Sequence, residues 1–197
     1  MGLLHNPKSF PDSLLSRMLG LAACGVALPV LLVGIRQNRP QLLAMGARYS
    51  WVVLAGMVLA TIAMQRALIT RDFTVLFVAE HGSSKTPPLF NVATMWSALE
   101  GSILLWGLVL AGYLAIVVHK FRDRLTDPLV GWALLTMFVV AAFFFALMVG
   151  PANPFESFDP PVGYDGPGPN PLLQNHLLMA FHPPMLYLGY VGFTVPF

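Results

Sequence analysis

The sequence has very few charged residues for its length. Lysine and arginine number 11, and aspartate and glutamate 9, among 197 residues. Together they make 10% of the chain, whereas an ordinary soluble domain carries about 25%. Hydrophobic residues make up 56%, which is more than a soluble fold of this size can hide from water. The composition therefore argues against a soluble enzyme or a disordered tail and favours a protein of the lipid bilayer.

Cysteine and clustered basic residues are also scarce. The single cysteine, Cys24, excludes a disulfide framework, a CxxC redox pair and a thiolate metal cluster. The net charge is +2, and the densest basic stretch holds only Lys120, Arg122 and Arg124. Nucleic acid is therefore not expected as a partner.

Long apolar runs are what the sequence has in abundance. Four of them reach the roughly 17–25 residues that cross a bilayer, and a fifth begins near the end of the chain. Helix is the expected conformation, because backbone groups in lipid must bond within their own segment. We therefore predict an all-α polytopic membrane protein with one membrane domain over 1–197. The predicted spans are 18–35, 49–65, 92–118, 129–149 and an incomplete 183–197.

The basic residues predict an orientation. The short loops 36–48 and 119–128 each carry three of them, whereas residues 150–176 carry none. Since cytoplasmic loops are enriched in lysine and arginine, the N-terminus and the longer loops 66–91 and 150–182 are predicted to lie outside.

The second outer loop contains two different kinds of segment. Residues 150–176 hold seven prolines and four glycines, which favours neither helix nor strand and is consistent with a solvated connector or an ordered lid. Asn170 and Pro171 predict a short interfacial helix that runs from Pro171 to about Phe181. This helix should end near His182, because Pro183 disfavours α conformation in the residue before it.

His182 is the first candidate for chemistry. Two prolines follow it at the predicted mouth of the fifth span, with Tyr187 and Tyr190 below it. A neutral imidazole nitrogen held there can ligate a metal ion. The alternative is a structural histidine that bonds to loop carbonyls.

Glu100 is the second candidate, in the stretch Trp96-Ser-Ala-Leu-Glu-Gly-Ser-Ile-Leu-Leu-Trp106. An unpaired carboxylate at the centre of a span costs roughly 2.5–3.5 kcal/mol, so Glu100 should be protonated, paired or turned toward a polar interior. Trp96 lies one turn before it, and Gly101 is one of several small residues that permit close helix approach. A functional role and a packing role are both open.

Three stretches in this order resemble the CcmF/NrfE family of cytochrome c maturation proteins. The first is Asp72-Phe-Thr-Val-Leu-Phe-Val-Ala79, and the second is the stretch from Trp96 to Trp106. The third combines Asn153-Pro-Phe-Glu156 and Asn170-Pro-Leu-Leu-Gln174 with Phe181-His-Pro-Pro-Met-Leu-Tyr-Leu-Gly-Tyr-Val-Gly-Phe193. The resemblance covers nearly the whole chain, and the third stretch is the most specific.

The resemblance implies that the chain handles haem. It implies that His182 is an axial ligand of a transient b-type haem, that Tyr187 and Tyr190 lie near that haem, and that Trp96, Glu100, Gly101 and Trp106 form an intramembrane motif. The haem is then presented at the outer face of the bacterial cytoplasmic (inner) membrane and joined to the CxxCH motif of apocytochrome c. A haem chaperone and thiol-handling maturation subunits are the further partners implied.

The resemblance also defines what the chain lacks. The tryptophan-rich segment of the family, its second outer histidine and its paired intramembrane histidines are absent, so the chain is interpreted as an N-terminal portion or one piece of a split protein. It is at most part of a haem lyase and is not expected to be active alone. Two alternatives are kept: a proton-translocating or transport subunit that uses Glu100, and a purely structural assembly subunit.

Overall fold

The computed structural model describes residues 10–174 and 176–195, and its long elements are all helices. In these ranges the only strand pairing is an isolated bridge between Val75 and Ser157. The α-helices in chain order are α1 (Phe10–Arg36), α2 (Pro40–Thr70), α3 (Leu76–His81), α4 (Pro88–Ala93), α5 (Leu99–Lys120), α6 (Pro128–Val149) and α7 (Leu178–Gly192). Helices α1, α2, α5 and α6 are long and apolar enough to cross a membrane, so the predicted all-α polytopic membrane fold is confirmed.

The four long helices form one bundle. Helix α1 packs against α2 and α6, and α2 packs against α5. Leu31, Met57, Leu104 and Phe138 are fully buried at the centre. The outer surface carries exposed apolar side chains, which suits a surface that faces lipid tails rather than water. They include Trp51, Ile62, Trp132 and Phe143.

Two short turns close the bundle at one end. Proline occupies the first position of both α2 and α6, where its missing N–H costs nothing. Asp127 caps α6: its carboxylate accepts the N–H of Leu129 at 2.9 Å and a hydrogen bond from Arg124 at 2.6 Å. Both interactions, with that of Arg124 the larger, lower the pKa of Asp127 below its usual range.

The predicted third span, 92–118, is not one continuous helix. Helix α4 ends at Ala93, a 3₁₀ turn covers Thr94–Trp96, and α5 starts only at Leu99 after an extended Ala98. We call Thr94–Ala98 the helix break. The apolar run in the sequence does not reveal it, because hydropathy measures how a segment partitions and not whether its backbone stays helical.

Polar side chains satisfy the carbonyl groups at the helix break. Ser97 Oγ donates to the Thr94 carbonyl at 2.8 Å, and Ser102 Oγ donates to the Trp96 carbonyl at 3.2 Å. From α2, the amide of Gln65 donates to the Val92 carbonyl at 3.2 Å. Non-helical backbone at membrane depth is tolerated only with such partners or with water, so these serines and the glutamine explain how the break is stable.

The predicted interfacial helix from Pro171 to about Phe181 is wrong. The structure has a single 3₁₀ turn over Pro171–Gln174, while Asn175 lies outside the described residues. Helix α7 then starts at Leu178 and runs through Pro183 and Pro184 without ending. These prolines are the sixth and seventh helical residues, so the bonds they remove are only those to the carbonyls of the first turn. The long loop therefore ends before Leu178 and not at 182.

Candidate functional site

His182 lies on the side of α7 that faces away from the bundle. Ala180 and Val191 are the buried residues of this helix, and at 3.6 residues per turn His182 is about half a turn from both. Its side chain is exposed, and with the described residues it makes no hydrogen bond or ion pair. Both imidazole nitrogens are therefore available to a ligand that approaches from outside the bundle.

The outward face of α7 is apolar around His182. At 3.6 residues per turn, five other residues share its side of the helix: Leu178, Met185, Leu186, Gly189 and Phe193. Leu178, Met185 and Phe193 are each more than 60% exposed. A histidine framed by apolar side chains suits a large, flat, mostly apolar metal complex better than a hydrated ion.

The structure does not bring Tyr187 and Tyr190 next to His182. Tyr187 is half-buried and packs against the core of the bundle, while Tyr190 is 63% exposed and lies about two turns along the helix from His182. A third tyrosine, which sequence analysis missed, has a clearer role. Tyr113 Oη of α5 donates to the Leu188 carbonyl at 2.9 Å and so fixes α7 against the bundle.

Glu100 lies at the start of α5 and not in the middle of a membrane helix. It is in the first turn, half-buried, and forms no hydrogen bond or ion pair with the described residues. A carboxylate is favoured near the positive end of the helix dipole, so this position is much less costly than the mid-span position assumed from the sequence.

The other members of the motif have separate surroundings. Gly101 lies so close to the Met95 carbonyl oxygen that an added Cβ would overlap it. Trp106 stacks on Phe144 of α6 with ring centroids 3.9 Å apart. Trp96 is half-buried, and the small cavity that it lines also touches Pro183, the residue after His182. Trp96 thus lies beside the His182 segment.

Two loops pack together as a cap at the end of the bundle where α7 begins. We define the cap as residues 72–84 and 151–170. The N–H of Leu76 donates to the Glu156 carbonyl, and the N–H of Phe158 donates to the Thr74 carbonyl, both at 2.8 Å. Tyr164 Oη donates to the Ala79 carbonyl at 3.1 Å. The sequence left open whether the proline-rich loop is a solvated connector or an ordered lid. These contacts favour the ordered alternative.

Asp165 joins the two segments of the cap by hydrogen bonds to Ser84. Its carboxylate accepts the N–H of Ser84 at 2.7 Å and the hydroxyl of Ser84 at 2.6 Å. These two hydrogen bonds are the main reason that the pKa of Asp165 lies below its usual range. Stabilisation from a carboxylate with a lowered pKa is present above about pH 4 and is lost as the pH falls through the lowered value.

Arg17, the residue just before the predicted span 18–35, is buried. Its side chain is 1% exposed. The guanidinium donates to the Met148 carbonyl at the end of α6 at 2.6 Å and to Asn153 Oδ1, and it lies 5.0 Å from the centre of the Phe155 ring. Asn153 and Phe155 belong to the Asn153-Pro-Phe-Glu156 stretch of the sequence. Arg17 thus fastens the cap to α1.

Comparison with known families decides where the chain belongs. The family model described as Cytochrome C assembly protein matches residues 96–197, which is more than half of the chain and includes both Trp96 and His182. The chain belongs to the cytochrome c assembly protein family. The resemblance inferred from the three sequence stretches is therefore confirmed.

Curated relatives in this family have similar names and greater lengths. Cytochrome c-type biogenesis protein CcmF of Escherichia coli (strain K12) is 34% identical over 186 residues, which are 94% of this chain and 28% of that protein. Cytochrome c-type biogenesis protein CycK of Rhizobium meliloti (strain 1021) is 35% identical, with 86% of this chain and 24% of that protein covered. The chain thus spans about a quarter of the length of these relatives.

A solved structure shares the fold. It is described as Cytochrome c Heme Lyase CcmF, and the match has a TM-score of 0.78 with 31% sequence identity. It covers 98% of this chain and 30% of that structure. The arrangement of bundle, cap and α7 is therefore that of one part of a larger member of the cytochrome c assembly family.

Proposed function

We propose that this chain supplies the His182-bearing part of a haem-handling protein for cytochrome c biogenesis. The observation that carries the proposal is the exposed imidazole of His182, which no described residue engages and which a rigid helix holds on an apolar face. The family membership and the printed names of the relatives support the same assignment.

The residues on the outward face of α7 fit a b-type haem. His182 would be one axial ligand, since a neutral imidazole is a common protein ligand of haem iron. The apolar side chains of Met185, Leu186 and Phe193 suit the face of a porphyrin. Bound haem would supply the group that is joined covalently to the CxxCH motif of apocytochrome c.

The outward face of α7 is not enough by itself to hold haem. The described residues contain no group of three or more histidine, cysteine, aspartate or glutamate side chains that could hold a metal. Because His182 faces away from the bundle, a second axial ligand and an aromatic cover have to come from polypeptide that packs on the outward face of α7. The 197-residue chain alone is therefore expected to retain little or no haem.

The proposal includes a place and partners for this step. Haem would be held at the outer face of the bacterial cytoplasmic membrane, with the N-terminus outside. A haem chaperone would deliver haem, and thiol-handling maturation subunits would present the reduced apocytochrome c. A purely structural assembly subunit is the competing function, and haem absorbance distinguishes the two.

The test is His182→Ala in the complete protein, with His119→Ala as the matched control. His119 is also an exposed histidine, but it lies in the last turn of α5 at the opposite end of the bundle. We expect His182→Ala to lose the haem absorbance of the purified protein and covalent cytochrome c formation in cells, and added imidazole to restore part of both. His119→Ala should leave both unchanged.

Two outcomes would contradict this proposal. Full haem occupancy in His182→Ala would contradict the ligand role. Stoichiometric haem in the isolated chain would contradict the conclusion that its site is incomplete.

A further inference from the structure

We propose that a groove between α1 and α2, at the cap end of the bundle, binds a glycerophospholipid, with an acyl chain along the groove and the phosphate at Arg66. The groove is an open cavity of about 240 Å³. The described residues that line it all belong to these two helices: Leu15, Ser16, Leu19, Leu59, Ile62, Ala63 and Arg66. The inference is independent of haem binding, because His182 lies on α7.

The spacing of the lining residues makes the groove a channel along the helices. On α2, Leu59, Ile62, Ala63 and Arg66 follow the spacing i, i+3, i+4 and i+7, which places them on one face. Leu59 and Ile62 are 53% and 58% exposed, and Leu15 of α1 is 68% exposed. Ala63 is half-buried between these longer side chains. A small residue flanked by large ones leaves room for a narrow ligand.

The size and the lining of the groove favour a hydrocarbon chain. Its volume far exceeds the roughly 10–15 Å³ that is enough for one water. Leu59 and Arg66 are seven residues apart, so the channel is about 10 Å long. Both helices are long and apolar enough to cross a membrane, and the medium around such a groove is lipid. An acyl chain therefore matches the channel in shape and in polarity.

The length of α2 places Arg66 at the level of lipid headgroups. The helix has 31 residues and is therefore about 46 Å long, whereas the hydrocarbon core of a bilayer is about 30 Å thick. The ends of α2 thus extend into the headgroup regions. Arg66 lies four residues before Thr70, the last residue of the helix, which is about 6 Å from its end. Its guanidinium can reach the phosphates there.

Arg66 also makes this end of the groove complementary to a phosphate. The residue is exposed, and none of the described residues that line the groove is acidic. A planar guanidinium binds two oxygens of one phosphate by parallel hydrogen bonds. Its five N–H donors allow this beside the other contacts that Arg66 makes. A phospholipid is the ligand that fills the apolar channel and pairs with the cation at its end.

The first measurement is the lipid affinity of the complete protein, read by native mass spectrometry after delipidation in detergent. Dioleoylphosphatidylglycerol is the probe, and dioleoylglycerol, which has the same acyl chains and no phosphate, is the matched control lipid. We expect the first lipid to bind more tightly when it carries the phosphate. Arg66→Gln should weaken phosphatidylglycerol binding about fivefold, the size of an exposed charge pair. Arg48→Gln, at the other exposed arginine of α2, should leave it unchanged.

Two results of this measurement would overturn the proposal. One is equal affinity for the two lipids, which would mean that the phosphate is not recognised. The other is equal affinity of Arg66→Gln and Arg48→Gln for phosphatidylglycerol. The second result is also the one expected if another part of the complete protein covers the groove in place of a lipid.

The second measurement locates the acyl chain with a phosphatidylglycerol that carries a photoreactive diazirine in that chain. In the wild-type protein, cross-links should map to residues 15–19 and 59–66. Ala63→Phe fills the channel and should abolish them. Ala55→Phe, at an exposed position of α2 that does not line the groove, should retain them. Wild-type cross-links that map only to other segments would overturn the proposal, whether or not Ala63→Phe folds.

Discussion

At the scale of single residues, the buried guanidinium of Arg17 is the contact that most affects the cap. A charge taken out of water must find hydrogen-bond partners, and Arg17 finds them in the Met148 carbonyl and Asn153 Oδ1. Asn153 Oδ1 also accepts the N–H of Phe155 at 3.0 Å. One arginine on α1 therefore fixes both the end of α6 and the first residues of the cap.

Replacing Arg17 by Met should destabilise the protein by about 1–3 kcal/mol, because the substitution removes charge-assisted hydrogen bonds to buried acceptors. Arg48→Met, at an exposed position of α2, is the control and should change stability by less than about 0.5 kcal/mol. Thermal unfolding in detergent checks both. If Arg17→Met and Arg48→Met have the same melting temperature, the guanidinium of Arg17 contributes no net stability.

Individual residues differ in how well the sequence predicts them. His182 could be proposed as a ligand from a local motif, and its exposure is compatible with that proposal. Arg17 could not, because its partners Met148 and Asn153 lie more than 130 residues away in the chain. A charge at the end of an apolar run is consistent with either a solvated boundary or a buried anchor, and only tertiary structure distinguishes them.

At the scale of elements, hydropathy predicts where helices lie but not where they are interrupted. The predicted stretches 18–35, 49–65 and 129–149 all fall within long helices. The interruption at Thr94–Ala98 and the passage of α7 through two prolines were both missed, because each depends on which partners the freed carbonyl groups find. Ser97, Ser102 and Gln65 supply these partners at the break.

The helix break predicts opposite effects for two glycines of α5. Gly101→Ala should destabilise the protein by about 1–3 kcal/mol, because the new Cβ would overlap the Met95 carbonyl oxygen and force the break to shift. Gly112→Ala is the matched control, since a Cβ there meets nothing within 4 Å. It should be neutral or stabilising by up to about 1 kcal/mol, because alanine is the better helix former.

Thermal unfolding of Gly101→Ala and Gly112→Ala under identical conditions measures the two effects. A melting temperature of Gly101→Ala equal to that of Gly112→Ala would mean that the break has room for a side chain. The close approach of Met95 to α5 would then not be the reason for a glycine at this position.

At the scale of the whole molecule, the two ends of the bundle differ in composition and in the elements that they carry. One end holds the short basic turns, where Gly131 of α6 packs near Ile35 and Leu43. The other end holds the cap, the helix break and the start of α7, tied together by Arg17 and Asp165. The candidate haem ligand therefore lies at the end opposite to the basic turns, as the alternation of long helices requires.

This polarity gives a prediction for the complete protein in its membrane. Lysine and arginine are retained on the cytoplasmic side, so the end with the basic turns should face the cytoplasm and the cap should face outward. A reporter that is active only outside should be inactive when inserted at Asn38, in the turn before α2, and active at Gly163, an exposed cap position with φ of 80°. An alkaline phosphatase and a fluorescent protein, which have opposite requirements, serve as paired reporters at each site. If both sites report the same compartment, the predicted topology, with the basic turns inside and the cap outside, is wrong. If the two compartments are reversed, His182 would lie on the cytoplasmic side and could not present haem to a protein outside.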